Sequence, residues 1–311
     1  MNKKVNLIIG SGVLGAYLSA NLIKKKEKVI VTTRSLRKKT NNYNYLKIQK
    51  KVKFEKLDIK NKTSIHKIIN KYKPEKIFYF AGQSSIPKSL KSPKETFQSH
   101  YNGTKNFLDV LKEKNLKIKF FKANSGYIFA PNKGQIDLNC NFSTNKNPYV
   151  QAQKKTFKLL KKYRQFGLNL SNLVFMQVES PLRPNDFLIK KVCLGAKNKD
   201  KITVGNINTF RDYSWITEVT KAIILSTKLP SKDFIISAGR KISGKEILTA
   251  AYKLNKLDFR KYYSVSKKFY RKNEDKILTG SIKNSSYLKK NFNFRFKIFG
   301  NSLVKKMYKS L

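Results

Sequence analysis

Short apolar runs alternate along the chain with segments whose apolar residues recur at helical spacing. The run Val5–Ile9 ends at Gly10, and leucines then follow at positions 14, 18 and 22. A second apolar run covers residues 28–33. The first run has the pattern of a buried strand, and the apolar residues after it recur with the helical period of about 3.6 residues. A second strand pattern follows. This order predicts a βαβ unit with parallel strands.

This alternation continues to about residue 176. Strands are predicted at residues 52–57, 76–80, 116–122 and 168–175, and helices at residues 64–72, 104–114 and 149–166. The expected fold is therefore α/β, a Rossmann-type doubly wound parallel sheet with a smaller C-terminal α/β region. Ligands of such folds bind at the carboxyl ends of the strands, so the residues that follow each strand are the candidates for chemistry.

Three glycines follow the first strand in the pattern Gly10-x-Gly12-x-x-Gly15. The first permits a tight turn, the second lets a pyrophosphate approach the backbone, and the third lets the next helix pack closely on the strand. The helix N-terminus offers unpaired N–H groups to the phosphates. The motif predicts a dinucleotide-binding domain over residues 1–175, with a return segment near residues 206–238, and a substrate-binding region over residues 176–311 that interleaves with it.

The end of the second predicted strand indicates which dinucleotide is preferred. An Asp or Glu at this place would bind the ribose hydroxyls and repel a 2′-phosphate, whereas the chain has Arg34 after Thr33. A guanidinium pairs well with a phosphate group. NADP is therefore the favoured cofactor, and NAD is the alternative.

Composition limits the remaining classes of protein. Of the 311 residues, 40% are hydrophobic, which is enough for a buried core and excludes a disordered chain. Lys and Arg number 68 against 18 Asp and Glu, a formal charge of +50. Lysines are spread from Lys3 to Lys309 rather than gathered in one arm, and no zinc finger, RRM signature or basic zipper is present. Nucleic-acid binding is therefore not expected, although the charge attracts anionic ligands in general.

Cysteine and histidine are scarce, with two residues of each type. Cys140, Cys193, His66 and His100 are too few for a disulfide framework, a zinc site or a multi-histidine centre, so no metal is predicted and His100 is assigned no chemistry. The apolar stretch at residues 5–23 resembles a secretory signal, but the glycine spacing within it favours the βα unit. No other apolar run has the length of a membrane span, and a cytoplasmic location is expected.

A serine and a tyrosine form the second candidate constellation. Ser125 follows a predicted strand and Tyr149 begins a predicted helix. In redox chemistry at a sugar carbon, the serine would hydrogen-bond the substrate oxygen while the tyrosine shuttles its proton. A phenol with a pKa near ~10 needs a neighbouring cation for this role at neutral pH, commonly a lysine one helical turn later. Gln153 occupies that position here.

With these residues placed, the chain resembles the extended short-chain dehydrogenase/reductase superfamily of NAD-dependent epimerases and dehydratases. Within it, the chain is most similar to the GDP-mannose 4,6-dehydratases, over about residues 4–295. The similarity is carried by short pieces in a constant order, at residues 81–85, 92–93, 103–104, 123–125, 147–149, 175–183, 205–206, 211–213 and 271–280.

The resemblance implies roles for many side chains. NADP would be held by Gly10, Gly12, Gly15, Arg34, Asp58, Ala81 and Gln83. A nucleotide sugar, with GDP-mannose favoured, would be bound by Ser84, Gln177, Glu179, Arg183, Arg211, Arg271 and Glu274. The implied reaction oxidises C4 of the sugar with Tyr149 as proton acceptor and Ser125 beside it, eliminates water across C5 and C6, and returns the hydride to C6. The resemblance also implies a homodimer or homotetramer.

Some residues depart from the family's pattern. The family's glutamate base, two residues after the catalytic hydroxyl, is Tyr127 here, and its helix lysine is Gln153. Val178 and Leu182 replace a histidine and an arginine of the family. Two alternatives therefore stand beside the dehydratase. One is a nucleotide-sugar epimerase or 4-reductase, which needs no carboxylate at position 127, and the other is a protein that binds these ligands without catalysis.

Several of these residues also have structural interpretations. Arg211 and Asp212 would form a local ion pair, Arg183 would be a surface charge, and Glu179 would accept structural hydrogen bonds. Cys193 lies in an apolar helical stretch and is expected in the core. Trp215 is expected to pack in the core rather than to stack on a base.

Overall fold

The computed structural model describes residues 4–36, 41–270 and 274–311. The chain divides into two compact units that interleave along the sequence. The first comprises Met1–Ile128, Phe142–Val174 and Ile223–Phe234, and the second comprises Phe129–Asn141, Phe175–Ala222 and Ile235–Leu311. The return segment is thus shorter than residues 206–238, and residues 129–141 join the second unit. The ligand of each unit stays a prediction.

Strands and helices alternate through the first unit in the predicted order. The described strands, numbered in chain order, are β1 Val5–Ile9, β2 Lys28–Thr33, β3 Lys53–Lys56, β4 Lys76–Tyr79, β5 Lys119–Ser125, β6 Gln135–Ile136, β7 Leu170–Phe175, β8 Gln177–Glu179, β9 Ile202–Val204, β10 Phe210–Trp215, β11 Phe234–Ile236, β12 Lys241–Ser243, β13 Tyr263–Val265 and β14 Ile277–Gly280.

The described α-helices are α1 Val13–Lys24, α2 Asn41–Tyr45, α3 Lys62–Tyr72, α4 Ile86–Lys91, α5 Pro93–Phe97, α6 Gly103–Glu113, α7 Pro148–Arg164, α8 Leu188–Asn198, α9 Ile216–Ser226, α10 Gly244–Lys253, α11 Ser286–Phe292 and α12 Gly300–Ser310. A π-helical turn, Gln98–Asn102, joins α5 to α6. Within the three described ranges, no helix combines the length and the apolar character needed to cross a membrane.

A seven-stranded sheet organises the first unit in the order β11-β7-β5-β4-β1-β2-β3. β1 pairs in parallel with β2 and β4, β2 pairs in parallel with β3, and β4 with β5. Along the chain, β2 and β3 are first added on one side of β1. The strands β4, β5, β7 and β11 are then added on its other side. Doubly wound sheets bind ligands where this direction reverses, at the carboxyl ends of β1 and β4. The predicted Rossmann-type fold is confirmed.

Apolar residues on both faces of the sheet explain why these segments form parallel strands. Leu7, Ile8 and Ile9 of β1 are all buried, as expected of a strand covered by helices on both sides. Leu7 and Ile9 belong to one buried cluster that also contains Phe107 of α6 and Leu160 of α7. Each such side chain contributes about 1.5–3 kcal/mol when it is fully buried.

The second unit is built around β10. This strand pairs antiparallel with β12 and parallel with β14 and β8. β14 pairs in turn with β6, and β9 pairs with β13 in a separate ladder. Helices α8, α10 and α12 contribute to a buried cluster that includes Cys193 and Trp215. Both residues therefore lie in the core, and these two predictions are confirmed.

Two predicted strands have bounds that are wrong by two residues or more. β5 runs from Lys119 to Ser125, three residues later at both ends than predicted. The reason is Asn115, whose φ of 47° turns the chain after α6 and places Leu116 and Ile118 in the connection. Gly167, with φ of 76°, delays β7 to Leu170 in the same way. The shift moves residue 122 from the end of the strand into its middle.

Candidate active site

The turn between β1 and α1 places three glycines in three different environments. Gly10 has φ of 107°, and a Cβ there would lie 2.9 Å from the backbone nitrogen of Ala81. A Cβ at Gly15 would lie 2.6 Å from the carbonyl oxygen of Gly10. Gly12 is exposed, and its Cβ position has no neighbouring atom within 4 Å. Packing therefore requires the first and third glycines, whereas the second leaves open space at the start of a helix.

This open space fits a phosphate group. Gly12 is the N-cap of α1 and supplies no side chain to bond the N–H groups of the first turn. The Oγ of Ser11 is buried and has no hydrogen-bond partner within the described ranges. Unpaired N–H groups at a helix start, the positive end of the helix dipole and a buried hydroxyl together favour an anion. The residues present therefore fit the pyrophosphate of the predicted dinucleotide.

Arg34 and Asp58 lie just after the neighbouring strands β2 and β3. The Arg34 guanidinium forms an ion pair at 2.7 Å with the carboxylate of Glu95 from α5, and both side chains are more than half exposed. Asp58 is exposed and accepts a hydrogen bond from the N–H of Lys60. An exposed ion pair contributes at most about 1 kcal/mol. Arg34 can therefore exchange Glu95 for another anion at little energetic cost.

The segment after β4 carries the predicted ligands Ala81, Gln83 and Ser84. The Oε1 of Gln83 accepts the N–H of Ser85 at 2.6 Å, and its Nε2 donates to the Oγ1 of Thr96 at 3.2 Å. The first bond lies within the segment, and the second fastens it to α5. Ser84 is exposed, whereas Ala81 and Gln83 are half-buried. The segment is thus held in one conformation beside the glycine turn, to which Ala81 is packed.

Ser125 and Tyr149 are brought into one region by β5 and α7. Asn124, next to Ser125, donates from Nδ2 to the carbonyl oxygen of Gln153 at 3.2 Å, one helical turn beyond Tyr149. Asn147 caps α7 by accepting the N–H of Tyr149 at 2.9 Å. Ser125 and Tyr149 are both buried. The predicted catalytic pair thus occupies the adjoining ends of a strand and a helix of the first unit.

The two residues that depart most from the family's pattern lie in the same region. Tyr127 is half-buried in a 3-10 turn directly after β5, and its N–H donates to the Oγ of Ser125 at 3.3 Å. Gln153 is buried, and its side-chain oxygen has no partner among the described residues. The positions that carry a carboxylate and an ammonium in the family thus carry a phenol and an uncharged amide here.

His100 is buried beside Tyr149, a place that the sequence did not indicate. The two rings meet edge to face with centroids 5.6 Å apart, and the Nε2 of His100 lies 2.9 Å from the carbonyl oxygen of Gln83. A carbonyl oxygen only accepts hydrogen bonds, so Nε2 carries the proton and Nδ1 has a free lone pair. Nδ1 is buried with no partner in the described part of the chain. A side chain at Gly82, which has φ of 126°, would overlap the His100 ring.

Burial determines the charge of two groups in this region. It lowers the pKa of the Lys122 amine to about 7. Burial, together with the nearby charge of Lys122, lowers the pKa of His100 to about 3, so the imidazole is neutral at physiological pH. The Nζ of Lys122 donates to the carbonyl oxygen of Ala123 at 2.5 Å and lies 5.3 Å from the centre of the Tyr79 ring. The sequence did not indicate this buried charge, because Lys122 is the last residue of the predicted strand 116–122.

Several predicted substrate ligands lie in the second unit. Gln177 and Glu179 are on β8, and Arg183 follows in the next loop with its guanidinium 3.5 Å from the centre of the Phe187 ring. Burial raises the pKa of the Glu179 carboxyl to about 7, although the charge of Arg183 opposes this shift. Arg183 is half-buried, so it is more than a surface charge. Arg271 lies outside the described residues.

Arg211 pairs with Glu274, and the local ion pair expected with Asp212 is wrong. The Arg211–Glu274 distance is 2.6 Å, and both side chains are largely buried. Asp212 instead accepts the backbone N–H groups of Gly239 and Gly280 at 2.9 and 3.2 Å. Burial raises the pKa of Asp212 to about 7 against the effect of these hydrogen bonds. Two of the predicted substrate ligands, Arg211 and Glu274, thus neutralise each other.

A doubly wound parallel sheet with an open glycine turn after its first strand is the fold expected of the extended short-chain dehydrogenase/reductase superfamily. The sequence model of the GDP-mannose 4,6 dehydratase family matches residues 7–307. The chain belongs to this family.

Individual relatives agree with this assignment. The GDP-mannose 4,6 dehydratase of Drosophila melanogaster is 26% identical over 277 residues, which cover 80% of this chain and 68% of the relative. GDP-mannose 4,6 dehydratase 1 of Arabidopsis thaliana is 23% identical over 325 residues, which cover 98% of this chain and 89% of the relative.

Solved structures support the fold. UDP-glucuronic acid 4-epimerase from Bacillus cereus, in complex with UDP-glucuronic acid and NAD, superposes with a TM-score of 0.85 at 16% identity, covering 98% of each chain. dTDP-glucose 4,6-dehydratase from Bacillus anthracis, in complex with NAD, superposes with a TM-score of 0.83 at 17% identity, covering 99% of this chain and 96% of the other.

Alanine is expected to act differently at two glycines of the turn. Gly12→Ala adds a methyl group to open space, so the stability stays near that of the wild type, while NADPH affinity falls about tenfold or more because the methyl group occupies the phosphate's place. Gly15→Ala forces a Cβ onto the Gly10 carbonyl oxygen and destabilises the protein by about 1–3 kcal/mol. Thermal unfolding and titration of NADPH fluorescence measure the two effects. Unchanged NADPH affinity in Gly12→Ala would contradict the assignment of the turn.

Stability is expected to depend on pH through Lys122. In the unfolded chain Lys122 has the ordinary lysine pKa of 10.5. In the folded protein burial lowers this pKa to about 7, so the proton is released above about pH 7. The unfolded state therefore binds more protons between these values, and the free energy of unfolding rises with pH across this window. Lys122→Met should be more stable than the wild type at pH 7, by a few kcal/mol at about 1.4 kcal/mol per pKa unit, and should lose this part of the pH dependence. Denaturant unfolding at several pH values checks this, and parallel curves for the two proteins would contradict it.

Proposed function

We propose that this chain is a nicotinamide-dependent nucleotide-sugar 4,6-dehydratase that acts on GDP-mannose or a close relative of it. The family match over residues 7–307 carries the proposal. The geometry of the first unit supports it, because the open turn at Gly12 and the pair Ser125 and Tyr149 stand in the order that the family resemblance implies. NADP is the proposed cofactor because Arg34, and not an acidic residue, follows β2.

Tyr149 and Ser125 are proposed to handle the proton of the oxidation step. The glycine turn would hold the pyrophosphate of the dinucleotide, and the nicotinamide of the bound cofactor would supply the hydride chemistry of the reaction. Tyr149 accepts the proton of the 4-hydroxyl group, while Ser125 hydrogen-bonds the same oxygen and orients it. The resulting ketone makes the hydrogen on C5 acidic, which prepares the loss of water.

Tyr127 is proposed to take part in this elimination. It occupies the place of the family's glutamate, two residues after Ser125, and lies half-buried directly after β5. A neutral phenol is suited to protonating the hydroxide that leaves C6 as water. It is less suited than a carboxylate to removing the proton from C5 near neutral pH. We therefore expect elimination to be the slow step of the reaction.

The same substitution favours a second candidate function. Epimerisation at C4, or reduction of a 4-keto sugar nucleotide, uses Ser125 and Tyr149 and needs no carboxylate at position 127. The fold accommodates such chemistry, since the Bacillus cereus epimerase shares it. These reactions, and binding without catalysis, are the alternatives to dehydration.

The substrate is proposed to contact the second unit. Gln177 and Arg183, with Arg271, are assigned to the nucleotide sugar by the family resemblance. Glu274 is already bound to the guanidinium of Arg211, so a diphosphate would compete with that carboxylate for it. From the same resemblance we propose that the enzyme is a homodimer or homotetramer.

The product of the reaction tests the proposed function directly. Purified protein mixed with GDP-mannose and catalytic NADP is expected to release a sugar nucleotide lighter by one water, measured by mass spectrometry. Tyr149→Phe should lower turnover at least about 100-fold because it removes the proton acceptor, while its ring still packs on His100. Tyr45→Phe, at an exposed tyrosine of the same unit, is the matched control and should keep full activity.

Two results would change the assignment. Full activity in Tyr149→Phe would remove this tyrosine from the proton step. An unchanged substrate mass, with NADP shown to bind, would exclude dehydration of GDP-mannose. NADPH absorbance over a panel of 4-keto sugar nucleotides would then separate reduction from silent binding.

The preference for NADP is expected to depend on Arg34 and Glu95. Arg34→Ala should weaken NADPH binding about tenfold or more and leave NADH binding nearly unchanged, because only NADPH carries the 2′-phosphate. Glu95→Gln removes the competing carboxylate and should strengthen NADPH binding several-fold. Fluorescence titration of both cofactors measures these effects. An equal loss for NADPH and NADH in Arg34→Ala would contradict the role of the guanidinium.

A further inference from the structure

A tyrosine that accepts a proton near neutral pH needs a nearby positive charge, and the helix position that carries this charge in the family is Gln153 here. The two lysines that follow on α7 are engaged elsewhere. The Nζ of Lys154 donates to the carbonyl oxygen of Ser143 at 3.1 Å, and the Nζ of Lys155 lies 5.4 Å from the centre of the Phe97 ring. A charge that acts on Tyr149 therefore has to come from another element.

β5 carries a buried lysine in this region. Lys122 is 1% exposed and lies opposite Tyr79 of β4 in the sheet register. Two residues further along the strand, Asn124 is hydrogen-bonded to the backbone of α7 at Gln153. A fully buried lysine is rare and destabilising, and such groups cluster at functional sites. The burial of Lys122, on a strand that is hydrogen-bonded to the helix of the candidate proton acceptor, is therefore informative.

His100 interacts with both Tyr149 and Lys122. Its ring contacts the ring of Tyr149, and the charge of Lys122 contributes to the low pKa of the imidazole. The imidazole is neutral and fixed by its hydrogen bond to the carbonyl oxygen of Gln83. A neutral buried ring adds no competing charge and excludes water from the space that it fills. A charge on Lys122 consequently acts on its neighbours through a low dielectric.

We propose that Lys122, with His100 as a neutral spacer, replaces the helix lysine of the family as the positive charge that favours the phenolate form of Tyr149. Lys122 is a positioning residue in this scheme, since it acts through Tyr149 rather than on the sugar. The inference rests on the proposed function, because it takes Tyr149 as the proton acceptor.

The proposal has a specific pH dependence. Lys122 and Tyr149 form a coupled pair whose first proton leaves near the pKa of the buried lysine, at about 7. Three described neighbours on other elements carry no charge near neutral pH, since burial raises the pKa of Tyr79 on β4 and lowers that of His100, and Gln153 on α7 is an amide. A small fraction of Tyr149 therefore becomes phenolate near neutral pH, and this fraction stays constant as the pH rises further. Without Lys122 this fraction rises steadily towards the ordinary range of tyrosine, near ~10.

Ionisation of Tyr149 can be measured without turnover. Tyrosine labelled with carbon-13 at the hydroxyl-bearing ring carbon reports the phenolate fraction by NMR, and loss of one resonance in Tyr149→Phe assigns the signal. Lys122→Met should lower this fraction about tenfold near neutral pH, equivalent to one pKa unit. Lys119→Met is the matched control, because this lysine lies on the same strand but bonds the carbonyl oxygen of Thr227, and it should change nothing.

A rescue variant separates charge from packing. Gln153→Lys added to Lys122→Met returns the charge to the helix and should restore the phenolate fraction, which a purely structural role of Lys122 would not allow. In turnover assays, kcat of the wild type should level off near neutral pH, whereas kcat of Lys122→Met should keep rising with pH.

The outcomes distinguish this inference from the proposed function. An unchanged phenolate fraction in folded Lys122→Met overturns the inference, and Lys122→Gln gives the same comparison if the methionine variant does not fold. Absence of water loss by the wild-type enzyme overturns the proposed function, while the NMR comparison still decides the role of Lys122.

Discussion

The close approach of Gly10 to the backbone of Ala81 is the contact on which the first unit depends. A Cβ at position 10 would lie 2.9 Å from the nitrogen of Ala81, so only glycine lets the two segments come so near. The N–H of Phe80 still donates to the carbonyl oxygen of Ile9 at 2.9 Å, which keeps β1 and β4 paired up to their last residues. Because these strands flank the reversal of strand order, this contact determines how the glycine turn and the segment after β4 open towards a ligand.

Local periodicity was sufficient to predict the parallel sheet, because each strand and helix is specified by residues that are close in sequence. The glycine turn was predictable for the same reason. The partners of Arg34 and Arg211 were not predictable, since Glu95 and Glu274 lie 61 and 63 residues away from them. His100 was missed because its burial follows from the packing of the π-helical turn against Gly82, which no local pattern records.

The chain has the fold of its family, but the charged side chains around the candidate proton acceptor, Tyr149, are distributed differently. A phenol and an amide, Tyr127 and Gln153, stand where a carboxylate and an ammonium stand in the family. At the same time the region contains a buried lysine and a buried neutral imidazole on other elements. The basicity of a tyrosine depends on the total field at its oxygen, and several arrangements of side chains produce a similar field. One fold can therefore keep its chemistry while individual motif residues change.

The interleaving of the two units also has a consequence for the order of folding. The edge strand β11 begins at Phe234, so its residues leave the ribosome after β8, β9 and β10 of the second unit. Until β11 is made, β7 is the unpaired edge of the sheet, and Asp233, which accepts hydrogen bonds from Asn172, is missing. Long-range strand pairing of this kind forms slowly, and an open edge is a site for association with other chains. The first unit therefore reaches its final form late in synthesis, although most of its strands are among the first residues made.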